Sequence, residues 1–288
     1  MDIAFANEKD VFLVFYLDNL TVFSNSDEDH LYHLKIVFQR CRKYGISLNP
    51  KKSLFTMDEG KILGHIISKE GICIIPAWVE AIQKIDFPQS KKEIQSFNGK
   101  INFLRRFVPN LVEHLREIKN MLKKDSAVRW TKEAVKFFNL VKLALSSTPI
   151  LISPNYTQDF NFFSFASDHT MVVVLMQKRD QLEKPIAFFS RTIRDATLKY
   201  NIIEKQVLTL VKSLKDFQVY ILHSHILAYV PNVVVKDVLV KIDPEGRRGK
   251  WIAALLEYDV EIKSTKLIKG QGLAKLMLSQ ICMPWILI

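Results

Sequence analysis

Cysteine is scarce in this chain, with three residues in 288. Cys41, Cys73 and Cys282 show no paired spacing, which argues against a disulfide framework or a zinc site and favours a reducing compartment. The sequence also lacks a long apolar run and a basic-then-apolar start, so we expect neither a transmembrane helix nor a secretory signal. It contains no internal repeat and no low-complexity stretch. We therefore expect a globular intracellular protein, either cytoplasmic or nuclear, with no membrane partner.

Positive charge and apolar content are both plentiful. Hydrophobic residues make up 48% of the sequence, enough to bury cores in two or three small domains. Lys and Arg number 41 against 30 Asp and Glu, which gives a net charge of +11 and a pI near 9.4. This excess favours an anionic partner, usually nucleic acid, although scattered surface lysines would give the same total.

Apolar periodicity predicts strands and one helix in the first 70 residues. Residues 11–24 are typical of a β-hairpin with Asp18 and Asn19 at its turn. Gly45 is expected to end a helix over 29–44. We expect the apolar stripe of that helix to consist of Leu31, Leu34, Phe38 and Cys41. Two strands are predicted near 53–56 and 61–67, with the turn between them at Asp58-Glu59-Gly60.

Helices dominate the pattern from Pro76 to about residue 148. One predicted helix carries the stripe Ile94, Phe97, Ile101, Leu104 and Val108, and ends at Pro109. A second is expected over 110–124. Thr131 is the expected N-cap of a third, whose buried face would be Ala134, Phe138, Val141 and Leu145.

Residues 149–154 are the predicted linker, and strands prevail after them. Strands are expected at 160–165, 171–177, 185–190, 226–230 and 260–263. Helices are expected at 202–222 and 248–256. The stripe of the longer helix would be Ile203, Val207, Leu210, Leu214, Phe217 and Ile221. Strands interleaved with helices in this order predict a compact α/β domain.

Five motifs in the first half, in order and closely spaced, resemble the reverse transcriptase of gypsy-type LTR retrotransposons. They are Tyr16-Leu17-Asp18-Asn19, His30-Leu31-Tyr32-His33-Leu34, Leu48-Asn49-Pro50-Lys51-Lys52, Leu63-Gly64-His65-Ile66-Ile67-Ser68 and the stretch Phe97–Phe107. The first is similar to the Tyr-x-Asp-Asp box of the polymerase, and the last to its thumb helix. Together they are highly specific, although no single motif would be decisive.

The second half resembles the connection and RNase H-like domain of the same Pol polyproteins, in a form typical of plant elements. The matching stretches are Phe165-Ala166-Ser167-Asp168, Pro185–Ser190, Tyr200–Lys205, His223-Ser224-His225, Gly249-Lys250-Trp251 and Lys269–Ala274. The resemblance implies a multi-domain α+β and α/β fold. It would comprise a partial palm over 1–72, a mostly helical thumb and connection over 73–150, an RNase H-like domain over 151–280 and an unmatched tail over 281–288.

Reverse transcriptases in this family hold two Mg²⁺ ions with aspartates from an upstream strand and from the hairpin tip. Of those ligands the sequence retains Asp18, whereas Asn19 occupies the second tip position without charge. The upstream aspartate would fall before residue 1. Two cations about 3.5–4 Å apart need several carboxylates to offset their repulsion. The resemblance therefore implies that Asp18 is a weak Mg²⁺ ligand and that the chain alone is not a polymerase.

The RNase H centre of the family uses four carboxylates around two metals. On the family pattern their positions hold Phe165, Glu204, Pro231 and Leu276, so Glu204 is the one acid retained. Asp168 lies three residues along the strand, about 10 Å away and on the opposite face, so it is a poor substitute. We expect Phe165 to belong to the core and the domain to be a catalytically empty scaffold.

Basic residues on the matched motifs are the candidate contacts to nucleic acid. They are Lys51, Lys52, Lys100, Arg105 and Arg106, and the thumb position of the last three makes them the strongest candidates. A solvated helix face is an equally good interpretation of any one of them.

Three readings of the function remain open at this point, and the oligomeric state is not predicted. The first is a retrotransposon-derived reverse transcriptase and RNase H-like protein without catalysis. The second is a non-enzymatic basic module that binds RNA–DNA hybrid or DNA duplex. The third is a pseudogene product with no function.

Overall fold

The computed structural model describes residues 1–55, 57–124, 126–231, 234–235 and 247–264. Contacts within the chain define two compact units, Met1–Met57 and Asp58–Ile288. Each unit has a hydrophobic core of its own. Across these ranges, no helix has the length and apolar character needed to cross a membrane.

The first unit combines a two-stranded hairpin with one long helix. Strands β1 (Leu13–Tyr16) and β2 (Asn19–Val22) are antiparallel, and α1 (Asp27–Tyr44) follows them. The Ser26 hydroxyl caps α1 by accepting a hydrogen bond from the Asp29 N–H at 3.2 Å. Gly45, with φ of +65°, ends the helix as predicted.

The predicted apolar stripe of α1 is only partly correct. The buried residues of the helix are Val37 and Cys41, whereas Leu31 is 70% exposed and Phe38 is exposed as well. The buried face differs from the predicted one because Val37 and Cys41 are the residues of α1 that pack against residues 4–5 and the hairpin. Together they form the core of this unit.

The second unit begins with a three-stranded antiparallel sheet. Its strands are β3 (Glu59–Ile62), β4 (His65–Ser68) and β5 (Gly71–Ile74). The predicted strand at 53–56 is wrong, since residues 53–55 form none and Thr56 lies outside the described residues. The predicted turn at 58–60 is also wrong, because Gly60 pairs with Ile67 across the ladder. The turn lies instead at Leu63 and Gly64, which both have positive φ.

Short helices cover the next 70 residues. They are α2 (Pro76–Gln83), α3 (Lys91–Phe103), a 3₁₀ helix (Arg105–Phe107), α4 (Leu111–His114), α5 (Arg116–Asn120) and α6 (Lys132–Ser146). The predicted buried stripe on α3 and the 3₁₀ helix is confirmed, as is the buried face of α6. Thr131 caps α6 through the Ala134 N–H at 3.2 Å. The helix predicted over 110–124 is two shorter helices.

A five-stranded sheet organises the rest of the unit. Its strands are β6 (Phe160–Ala166), β7 (Thr170–Arg179), β8 (Leu182–Thr192), β9 (Ile226–Val230) and β10 (Val260–Ser264). They lie in the order β10-β9-β6-β7-β8, with β6, β9 and β10 mutually parallel and β7 antiparallel to both of its neighbours. Helices α7 (Ile202–Asp216), α8 (Gln218–Ile221) and α9 (Arg247–Leu255) complete the fold.

Both faces of the five-stranded sheet are covered. Phe163 and Val174 belong to the core shared with α3 and α6, whereas Phe162 and Val173 belong to the core shared with α7. Successive side chains on a strand point to opposite faces, so burial on both sides requires near-continuous apolar strands. This explains why β6 and β7 consist almost entirely of buried residues.

The segment predicted as a linker is part of the folded structure. Leu151 is fully buried, and its backbone exchanges two hydrogen bonds with Ile72 of β5, at 2.7 and 2.9 Å. The Ile152 N–H donates to the Pro185 carbonyl at 2.9 Å. The linker prediction is therefore wrong, because these backbone groups join the three-stranded sheet to the five-stranded one. The domain boundaries at 72 and 150 stay predictions.

Candidate functional site

Asp18 lies at the tip of the β1–β2 hairpin. Tyr16 pairs with Asn19, so Leu17 and Asp18 form the two-residue turn. Leu17 has φ of +52°, which is uncommon for a residue other than glycine. Asn19 is thus the first residue of β2, whereas the sequence placed it in the turn. Both Asp18 and Asn19 are exposed.

The hairpin tip does not fit a two-metal centre. Such a centre needs several hard anionic oxygens around two divalent cations. Within the described ranges there is no group of three or more His, Cys, Asp or Glu side chains suited to hold a metal ion. Asn19 adds a neutral amide beside Asp18. We therefore derive no catalytic step through a metal at this tip.

Glu204 has a structural role at the start of α7. The Asn201 side-chain oxygen accepts a hydrogen bond from the Glu204 N–H at 2.9 Å, and Glu204 Oε2 accepts one from the Asn201 N–H at 3.1 Å. This reciprocal pair is a capping box. The carboxylate satisfies a backbone donor of the helix that would otherwise lack a partner. The Asn-x-x-Glu spacing is visible in the sequence and would have predicted this role.

The other acid positions of the RNase H pattern contribute no carboxylate within the described chain. Phe165 in β6 is half-buried, so its expected place in the core is wrong. Pro231 is exposed directly after β9. Leu276 lies outside the described residues. Asp168 is in the turn between β6 and β7, and its side chain is 84% exposed.

Two buried polar residues beside Glu204 were missed in the sequence. The Lys205 side chain is 6% exposed and its Nζ donates to the Asp168 carbonyl at 3.0 Å, with an Asp168 carboxylate oxygen at 3.6 Å. Gln206 is buried, and its side-chain oxygen finds no hydrogen-bond partner in the part of the chain that the structure describes. Lys205 and Gln206 follow Glu204 directly on α7. The buried polar groups next to Glu204 are therefore an ammonium and an amide, whereas a two-metal centre would need carboxylates.

The three basic residues predicted on the thumb occupy different environments. Lys100 on α3 and Arg105 on the 3₁₀ helix are exposed. Arg106 is half-buried, with its guanidinium carbon 5.5 Å from the centre of the Phe107 ring and its Nε enclosed without a partner among the described residues. Lys100 and Arg105 are therefore free to contact phosphates, whereas Arg106 is partly withdrawn from solvent.

Exposed aromatic rings pack together at the end of α3 that leads into the 3₁₀ helix. Trp78 and Phe103 are 41% and 43% exposed, and their ring centres are 5.0 Å apart. His65 stacks on Phe103 at 5.1 Å, and its pKa is lowered by burial and then by the charge of Arg106. Gly64 allows this packing, because a Cβ there would lie 3.1 Å from both Trp78 and Phe103. Exposed aromatic rings are a common feature of surfaces that bind single-stranded nucleic acid, where bases stack on them.

Lys51 and Lys52 belong to the first unit. They are exposed in a turn after α1, where the Lys51 N–H donates to Asn49 Oδ1 at 3.0 Å. The turn presents both ammonium groups to solvent.

Comparison with known families identifies two segments. The family "Reverse transcriptase (RNA-dependent DNA polymerase)" matches residues 1–67, and "RNase H-like domain found in reverse transcriptase" matches residues 130–228. The Transposon Tf2-7 and Tf2-3 polyproteins of Schizosaccharomyces pombe are each 28% identical to this chain over 260 residues, which is 88% of its length. The chain spans 19% of the length of these relatives.

Solved structures share the fold. A foamy viral protease-reverse transcriptase in complex with double-stranded DNA superposes with a TM-score of 0.78 and 24% identity, over 92% of this chain and 47% of that one. The same viral enzyme in complex with RNA/DNA hybrid gives a TM-score of 0.78 and 23% identity, over 94% and 37% of the two chains. Residues 1–67 are thus similar to reverse transcriptase and residues 130–228 to its RNase H-like domain, and the chain as a whole is similar to part of retrotransposon polyproteins.

Proposed function

We propose that this chain binds nucleic-acid duplex through the surface of α3 and the following 3₁₀ helix, and that on its own it catalyses neither nucleotide addition nor hybrid cleavage. The observation that carries the proposal is the exposure of Lys100 and Arg105 on α3 and the following 3₁₀ helix, together with the exposed rings of Trp78 and Phe103. Both cations have no ion-pair partner among the described residues.

The chemistry of this surface suits a sugar–phosphate backbone. Lys and Arg side chains neutralise phosphates and release condensed counterions, which makes binding strongly salt-dependent. The exposed rings of Trp78 and Phe103 offer apolar surface against the sugars of the backbone. The related viral enzyme has been captured with both double-stranded DNA and RNA/DNA hybrid, which supports a duplex as the ligand.

The lack of catalysis is proposed from the charge of the candidate sites. One aspartate at the hairpin tip cannot offset the mutual repulsion of two Mg²⁺ ions, and Glu204 already caps α7. Stable Mg²⁺ binding is therefore not expected, although the family as a whole works with divalent metal ions.

Binding is tested with a fluorescently labelled RNA–DNA hybrid and the full chain. In a plot of the logarithm of the binding constant against the logarithm of the salt concentration, we expect a straight line with a negative slope. The magnitude of this slope, called the salt slope below, should fall by about 0.9 for each phosphate contact removed. Lys100→Gln and Arg105→Gln should each reduce the slope. Arg179→Gln, at the exposed end of the β7–β8 hairpin, is the matched control and should leave it unchanged. Equal slopes in all four proteins would contradict the assigned surface.

Catalysis is tested by primer extension and by cleavage of the hybrid, with Mg²⁺ or Mn²⁺. We expect no template-dependent incorporation, and we expect Asn19→Asp to remain inactive because a second tip carboxylate still leaves the metals under-coordinated. Extension by either protein would refute this part of the proposal. A chain that binds no duplex at all would favour the third reading, a product without function.

A further inference from the structure

Three cations lie on neighbouring elements of the second unit, and two of them, Arg105 and Arg194, act electrostatically on the third, Lys119. Arg105 is on the 3₁₀ helix, Lys119 on α5 and Arg194 just beyond β8. The 3₁₀ helix and α4 both pack against β8, and α5 in turn packs against α4. The Val112 N–H, at the start of α4, donates to the Ser190 hydroxyl of β8 at 3.3 Å.

The charge of this cluster is not balanced by acids. Burial lowers the pKa of Lys119, and Arg194 and then Arg105 lower it further, with no carboxylate acting in the other direction. Among the described residues, none of the three side chains makes an ion pair or a hydrogen bond. Asp195 follows Arg194 directly, but it pairs with none of them.

A neighbouring arginine shows how the same fold neutralises a cation elsewhere. Arg116, three residues before Lys119 on α5, lies 3.0 Å from a Glu113 carboxylate oxygen and 3.3 Å from one of Glu117. The carboxylates of Glu113 on α4 and Glu117 on α5 therefore pair with Arg116 and not with Lys119. The charge of Lys119 and its two arginines is therefore left without a carboxylate partner among the described residues, and is available to an anion from outside the chain.

We infer that Arg105, Lys119 and Arg194 form a phosphate-binding cluster that contacts the backbone of a bound duplex beyond the surface of α3. The inference rests on the proposed function and extends it from the thumb helices to the end of β8. An anion at the cluster relieves the repulsion among its three cations. The guanidinium groups of Arg105 and Arg194 suit a phosphate, because each can donate two parallel hydrogen bonds to one phosphate group. Such contacts fix the position of the backbone without reading the bases.

The test compares two double variants with equal loss of charge. Lys119→Gln with Arg194→Gln removes two members of the cluster. Lys178→Gln with Arg179→Gln removes one lysine and one arginine from the opposite end of the β7–β8 hairpin. We expect the cluster variant to reduce the salt slope for hybrid binding by about 1.8, and the control variant to leave it unchanged.

A second measurement separates this inference from the proposed function. Inorganic tripolyphosphate should raise the Tm of the wild-type chain and of the control variant, but not that of the cluster variant. Where the hybrid binds, an unchanged slope in the cluster variant overturns the inference and leaves the proposed function standing. If the hybrid does not bind to the wild-type chain, the proposed function fails. The cluster is then tested by the Tm alone: a rise with tripolyphosphate in wild type but not in the cluster variant confirms it, and an equal rise, or no rise, in both overturns it.

Discussion

Replacing Gly71 by alanine tests how much the pairing of Leu151 with β5 contributes to the stability of the second unit. Gly71 begins β5 with φ of +143°, a conformation that residues with a side chain rarely adopt. A Cβ at this position would lie 2.3 Å from the Leu151 carbonyl oxygen and 2.9 Å from Ile150 Cγ2. The obstacle is backbone, so a change of rotamer cannot relieve it.

The expected cost combines strain with lost hydrogen bonds. Holding a residue with a side chain at such a φ costs about 1–3 kcal/mol. Displacing Leu151 also breaks its two hydrogen bonds with Ile72, each worth about 0.5–1.5 kcal/mol net. Gly71→Ala should therefore lower the free energy of unfolding of this unit by roughly 2–6 kcal/mol, a large part of the 5–15 kcal/mol typical of a folded protein.

Urea unfolding followed by tryptophan fluorescence measures this change. Of the four tryptophans of the chain, Trp78, Trp130 and Trp251 are described by the structure, and these three lie in the second unit. Gly99→Ala is the matched control: Gly99 is inside α3 with no atom within 4 Å of its added Cβ, so alanine should stabilise by about 1 kcal/mol. A Gly71→Ala protein within about 0.5 kcal/mol of wild type would refute the reasoning.

Two further predictions concern stability. Phe138→Ala should cost about 3–5 kcal/mol in the same assay, because the ring is buried against Phe97 at 4.9 Å and Phe87 at 5.0 Å; a loss below about 1 kcal/mol would contradict it. Hydrogen bonding to Asp259, 2.9 Å from Nδ1, raises the pKa of His225, so this pair stabilises fully below about pH 6.5 and less as pH rises through the raised pKa. His225→Gln should therefore destabilise more near pH 5.5 than near pH 8.5 in parallel urea titrations, and equal losses would count against the ion pair.

Much of the fold was predictable because it depends on residues close together in the sequence. The apolar spacing of Val207, Leu210 and Leu214 predicted a helix buried on one face, and the structure buries all three. Thr131 was predicted as a cap for the same reason, since its partner is three residues away. The loss of charge at Asn19 is also visible in the sequence, because a formal charge belongs to the residue and needs no neighbour to define it.

Features that depend on distant residues required the three-dimensional structure. Gly60 resembles a turn residue but pairs with Ile67 because the ladder with β4 sets its conformation. Leu151 resembles part of a linker but is buried because β5, nearly 80 residues earlier, supplies its hydrogen-bond partner.

The sequence by itself determined the family resemblance, the helical and strand periodicities and the missing carboxylates. The tertiary structure alone decided which cations stand without an ion-pair partner among the described residues and act on one another, as Arg194 does on Lys119. Periodicity and capping act between neighbours along the chain, whereas burial and electrostatic interaction depend on distance in space, which only the folded chain defines.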